Sequence, residues 1–108
     1  MLHNFFARLN SDSLFKIRYW RGVYSRGLRS NILFRMHFKV YLRTLGRNIK
    51  AARLKRGLKQ VEVHEGCGLT YRHYQSIEAG KVNVTVETLY RLARLYEVRV
   101  QDLVKEDI

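Results

Sequence analysis

From Leu45 onward, apolar residues recur at three- and four-residue spacings, and short gaps rich in polar residues or glycine interrupt them. Five short helices follow in order. Leu45, Ile49, Ala52 and Arg56 share one face of the first, which Gly57 closes in the C-terminal position that glycine favours. The second begins near Gln60, turns Val63 and Cys67 inward and stops at Gly68. Thr70 then offers a side-chain oxygen to cap a third helix, which runs from Tyr71 until Gly80. Thr85 caps a fourth, in which Leu89, Leu92, Ala93 and Tyr96 form an i, i+3, i+4, i+7 stripe and Glu87 lies against the positive helix end. Val98, Val100, Leu103 and Val104 supply a final short turn of helix. The pattern predicts an all-α, compact five-helix domain over residues 45–104.

Upstream the pattern changes. Met36, Phe38, Val40 and Leu42 alternate with His37, Lys39, Tyr41 and Arg43, which predicts a short strand, although no partner strand is evident. Residues 1–35 are rich in Phe, Tyr and Trp but hold no sustained period beyond Leu2, Phe5, Phe6 and Leu9, too short a stripe to make a stable helix alone. They read as a basic, poorly ordered N-terminal extension. An internal Met36 lies just ahead of the patterned region, so the natural start is expected there, with the preceding residues as translated upstream sequence.

Charge narrows the partners. The chain of 108 residues, room for one domain, carries 21 basic and 9 acidic side chains, a net charge of +12 and a pI near 10.4. That excess points to a polyanion, either nucleic acid or an anionic membrane surface. Residues 1–35 hold 7 basic and 1 acidic residue, and the rest hold 14 and 8, so each part carries +6. The extension is open to three readings: an arm on DNA phosphates, an amphipathic membrane-surface segment, or chain with no evolved role. Cys67 is the single cysteine, which excludes an intrachain disulfide and makes the cytoplasm the default compartment. No run of about 18 apolar residues exists to span a membrane, and Arg8, Asn10, Ser11 and Asp12 break up any secretory signal.

The segment Gln60 to Ala79, QVEVHEGCGLTYRHYQSIEA, has two helices of about two turns separated by a glycine-containing turn, the helix-turn-helix spacing. With LGRNIKAARLKRGLKQ before it and GKVNVTVETLYRLARLYEVRVQDL after it, the sequence resembles the Cro and phage-repressor type of helix-turn-helix family, also called the xenobiotic response element family. The resemblance covers about 60 residues. It rests on the ordered set of Leu58, Gln60, Gly68, Thr70, Ile77, Glu78, Gly80, Lys81, Glu87, Thr88, Leu89 and Ala93.

The third helix supports this by its own period. At ~100° per residue, Tyr71, Gln75, Ala79, Arg72 and Ser76 fall within an arc of ~140°, with Tyr74 and Ile77 opposite. One face suits packing and the other suits reading DNA. Arg72 has the fork for the O6 and N7 of a guanine, Gln75 the amide for the N6 and N7 of an adenine, and Ser76 a hydroxyl for either. Tyr71 opens the helix where a thymine methyl or a phosphate would lie. A good bidentate contact gives ~1–3 kcal/mol of discrimination, which makes Arg72 the leading specificity residue. Polar residues at helical spacing also describe an ordinary solvated face, and the surrounding motif is what favours the reading face. The resemblance further implies that Gln60, Lys81 and Asn83 hold DNA phosphates and that Arg53 and Glu78 form an ion pair inside the domain.

The sequence departs from the family's pattern in places. His64 stands where a small alanine is usual, Gly66 weakens the same helix, and Glu97 and Arg99 replace the usual glycine and capping serine between the last two helices. His64, Cys67 and His73 invite a metal, but structural zinc takes four ligands and no second closely spaced pair is present, so a packed histidine and a buried cysteine are expected. No nucleophile with a neighbouring base, glycine-rich phosphate loop or paired carboxylates appear. The expectation is therefore a non-enzymatic protein without cofactor: a bacterial or phage transcriptional regulator binding double-stranded DNA as a homodimer, with half-sites ~10 bp apart or at multiples of that spacing. Two alternatives stay open, an antitoxin or adaptor that uses the domain to hold a protein partner, and a basic RNA or membrane-surface binder in which residues 1–35 are primary.

Overall fold

Between Leu28 and Lys55 there is no proline and a single glycine, so a helix once started meets no local stop. The computed structural model describes residues 28–106, with side chains from residue 32, and it runs this stretch as one helix, α1 (Leu28–Lys55). The strand expected around residues 36–43 is therefore replaced by helix. Alternation there coincides with a second period: Phe38, Leu42, Leu45 and Ile49 lie four, three and four apart, and this stripe faces the core. Residues 28–35, assigned by sequence to the extension, open α1, and Met36 lies within it. The stripe Leu2 to Leu9 and the other expectations for residues 1–27 fall outside the described residues.

The remaining elements are α2 (Gln60–Cys67), α3 (Tyr71–Glu78), α4 (Val86–Tyr96) and α5 (Val100–Val104), all in the expected order. The described residues are all-α, with five helices and no strand. Phe38–Glu106 form a compact unit of their own, and it carries everything below. The anticipated caps are in place. Thr70 Oγ1 accepts from the His73 amide at 3.1 Å and Thr85 Oγ1 from the Thr88 amide at 3.2 Å, each satisfying one of the orphan donors of a helix start.

Leu42, Leu45 and Ile49 of α1, Val63 and Cys67 of α2, Tyr74 and Ile77 of α3, Leu89, Leu92, Ala93 and Tyr96 of α4, and Leu103 of α5 make one buried cluster. The upstream part of α1 belongs to it because α5 needs partners for its last carbonyls. Tyr41 Oη donates to Val104 O at 2.8 Å, and Asn48 Nδ2 donates to Leu103 O and Lys105 O, both at 2.9 Å.

Two glycines let α1 approach the end of α3 closely. A Cβ on Gly46 would stand 2.4 Å from Glu78 O and 2.8 Å from Ile77 O, so backbone occupies the space a side chain would need. Gly80 takes a left-handed φ of 72°, and a Cβ there would meet Arg43 Cα at 2.7 Å. Where α4 ends the chain makes the same left-handed turn without glycine. Glu97, at φ 56°, is the one non-glycine residue with positive φ among the described residues.

Candidate nucleic-acid interface

The capped start of α3 sets the rotation of the helix, and burial then divides its residues. Tyr74 and Ile77 are fully buried, whereas Tyr71, Arg72 and Gln75 are exposed. The Arg72 guanidinium has no partner among the described residues, so its donor fork is free for a ligand. Ser76 is half-buried and its hydroxyl donates to Arg72 O at 3.0 Å, which leaves Ser76 chiefly its lone pairs to offer a base. Lys81 and Asn83 stand exposed in the loop between α3 and α4.

Behind the exposed face lies a polar network. Arg53 Nε and Nη2 grip Glu78 Oε2 and Oε1 at 2.7 and 3.1 Å, a two-pronged pair whose side chains are 8% and 4% exposed. The remaining prong, Nη1, donates to Leu58 O at 2.8 Å and ties in the loop before α2. Gln60 Nε2 donates to the same Glu78 Oε1 at 3.1 Å. Its amide oxygen faces Tyr71 Oη at 3.5 Å and Gln75 Nε2 at 3.4 Å on the exposed side of α3. A glutamine amide nitrogen carries two hydrogens, so Gln60 retains one donor beyond its bond to Glu78.

Deeper in, the Tyr74 and Tyr96 hydroxyls meet at 2.5 Å. Burial pushes both phenols well above their ordinary range, helped at Tyr74 by hydrogen bonding and opposed at Tyr96 by the bond to Tyr74, so each is a neutral hydrogen-bonding group at any working pH. Burial alone would raise Glu78, but bonds from Arg53, Tyr74 and Gln60, with the Arg53 charge, outweigh it and hold the carboxyl below its usual value. Its hydrogen bond to Glu78 likewise raises Arg53, against the opposing effect of burial. Among the described residues no buried side-chain nitrogen or oxygen lacks a partner.

This geometry is that of two short helices crossing at a glycine-terminated turn, with the second laid open on one side. The chain matches the family described as "Helix-turn-helix" over residues 49–103, just over half its length. It belongs to that family, in the Cro and phage-repressor type. It is also similar to a protein of Sinorhizobium fredii named "Uncharacterized HTH-type transcriptional regulator y4dJ", 38% identical over 60 residues, which cover 56% of this chain and 78% of that protein.

Within this helix-turn-helix domain the departures from the family's pattern find local solutions. His64 is half-buried, and its Nδ1 faces Leu69 O within hydrogen-bonding reach. Cys67 is buried, which raises its thiol, with Arg91 acting weakly in the other direction. Among the described residues no three His, Cys, Asp or Glu side chains gather as a metal would require. Arg99 lacks a capping hydroxyl, and Asp102 compensates by accepting from the Arg99 amide at 3.2 Å. Glu97 pairs with Arg56 at 3.1 Å.

Sequence reasoning missed three residues behind the helix-turn-helix face. Tyr96 is an apolar-stripe residue by period, and nothing local shows that its hydroxyl meets Tyr74. Asn48 and Gly46 sit in a stretch of α1 whose partners are distant in the chain. Gly46 did carry a signal, since a glycine inside a helical run is costly and marks a close approach.

Proposed function

We propose that this helix-turn-helix protein is a sequence-specific transcriptional regulator that inserts α3 into the major groove of DNA. The observation that carries the reading is the division of α3: Tyr71, Arg72 and Gln75 stand exposed on one face, while Tyr74, Ile77 and Glu78 fasten the opposite side to the core. A reading helix needs both, because base contacts discriminate only when the side chains are held in fixed register.

In this reading Arg72 takes a guanine and Gln75 an adenine, while Tyr71 and Ser76 contribute at their edges. Gln60 uses its spare amide hydrogen, beside the positive end of α2, on a phosphate of one strand, and Lys81 and Asn83 hold backbone beyond the other end of α3. The protein acts as a homodimer on two-fold related half-sites, in the cytoplasm and on the nucleoid. The family and the relative's name, a transcriptional regulator, support regulation rather than catalysis. No helix among the described residues is long and apolar enough to cross a membrane.

Selecting bound sequences from a random duplex pool tests the reading. It should yield a half-site repeated about one or more helical turns apart, and Arg72→Ala should lose ~1–3 kcal/mol of preference at one base pair while binding random duplex nearly as well as before. Equal affinity of the wild type for selected and random duplex at every salt concentration would overturn it.

A further inference from the structure

Helix α1 carries eight basic residues and no acidic one. A merely solvated helix face mixes the two signs, because opposite charges at i, i+4 support the helix and like charges repel. No aspartate or glutamate occurs anywhere from Ser13 to Val61, so neighbouring chain does not supply the missing sign. Arg53 is neutralised by Glu78; the other charges on α1 lack such a partner among the described residues from Arg35 onward. A one-sign helix of this kind is electrostatically costly unless a polyanion lies along it.

Two independent contacts fix where that polyanion would run. Gly46 lies against the carbonyls of Ile77 and Glu78, and Gly80 lies against the backbone of Arg43 and close to its Cγ, so one edge of α1 abuts the end of α3 and the loop that carries Lys81. At ~100° per residue, Lys39, Arg43, Gly46 and Lys50 fall within an arc of ~60° on α1. Three exposed basic side chains therefore leave the helix from the edge that the end of α3 touches. From Lys39 to Lys50 this edge spans ~16 Å at ~1.5 Å per residue, while a DNA strand presents one phosphate every ~3.4 Å of helix axis.

We propose that Lys39, Arg43 and Lys50 form a phosphate-binding rail that continues the grip of Lys81 along the backbone of the duplex read by α3. This rests on the DNA-binding reading above. Lys39 and Arg43 lie before the residues that match the family, so the rail is a feature of this chain's longer first helix. Its contacts are to phosphate, and they strengthen binding without choosing sequence.

The test compares the full chain with K39Q/R43Q/K50Q on the selected duplex and on random duplex, each titrated from 50 to 200 mM salt. The triple variant should lose affinity for both duplexes by the same factor, and its slope of log affinity against log salt should shrink by about 2.7, at ~0.9 per phosphate contact. Across that salt range the wild type then weakens about 40-fold more than the variant. R94Q/R99Q/K105Q removes the same charge from α4 and the ends of α5 and should keep the wild-type slope. The charge-retaining K39R/R43K/K50R should also keep it. Each single variant is measured as well, with an expected slope change of about 0.9, so the test survives if the triple variant loses its fold.

An unchanged slope in the folded triple or single variants overturns the rail. So does an equal reduction in R94Q/R99Q/K105Q, which would make net charge the cause. A wild type that binds duplex without discriminating sequence, yet loses slope in the triple variant, keeps the rail and overturns the regulator reading. A wild type that binds no duplex overturns both.

Discussion

Tyr74 and Tyr96 bring their hydroxyls within 2.5 Å of each other in the core, linking α3 to α4. Either oxygen can donate to the other, and both side chains are fully buried. Removing one hydroxyl leaves its partner without this bond, so Tyr74→Phe and Tyr96→Phe should each cost about 1–3 kcal/mol. Denaturant melts of the two variants check this, and wild-type stability in both would contradict a contribution from the bond.

Glu78 makes stability depend on acid. Its folded pKa lies below the ordinary carboxylate value, so the unfolded chain takes up the proton first as pH falls. The stabilisation is fully present above the unfolded value, about 4.3, and is lost as pH drops through the folded one. Thermal melts between pH 7 and pH 3 should show a steep acid limb in the wild type and a shallower one in Glu78→Gln. Glu78→Ala should cost ~3–5 kcal/mol at neutral pH, because it leaves the Arg53 charge buried and unpaired. A wild-type melting temperature in that variant would contradict the role of the pair.

Gly46→Ala tests the approach of α1 to α3. The added methyl would meet two backbone carbonyls, neither of which can rotate away as a side chain would. The expected loss is about 1–3 kcal/mol. Because the contact lies at the end of α3, the proposed reading helix, the folded variant should also lose affinity for its selected site. Ala51→Gly, on the exposed side of the same helix, is the control: its cost should be only about 1 kcal/mol, with DNA affinity kept.

Glu97→Gly should stabilise the domain. The left-handed conformation costs a side-chain-bearing residue about 1–2 kcal/mol, and replacing it forfeits only a solvent-exposed pair with Arg56 and the extra freedom of glycine in the unfolded chain. The net gain of about 0.5–1 kcal/mol corresponds to a rise of several degrees in Tm. A fall in Tm would mean that the Arg56 contact outweighs the backbone strain.

Helices α2 to α5 were legible because their boundaries are written locally, in Gly68 and Gly80, in the capping Thr70 and Thr85, and in the stripe Leu89 to Tyr96. The start of α1 was not, because Phe38, Val40 and Tyr41 suit a strand and the helical spacing of Phe38, Leu42 and Leu45 gains meaning only against α5. Its partners at Leu103, Val104 and Lys105 lie 55 to 63 residues away. The exposed face of α3 followed from period alone. The bond of Ser76 to Arg72 and the sharing of Gln60 among Glu78, Tyr71 and Gln75 did not, since they depend on how α2 crosses α3 and on rotamers chosen there.

The ties from Tyr41 and Asn48 to the end of α5 have a consequence for synthesis. As the chain leaves the ribosome, α1 emerges before the backbone carbonyls that Tyr41 and Asn48 hold have been made. Helices α2, α3 and α4 can meet one another while still tethered, but α1 docks fully only after residue 105 has cleared the exit tunnel. Until then the Tyr41 and Asn48 positions of this strongly cationic helix lack their partners, although its contacts with the end of α3 can already form.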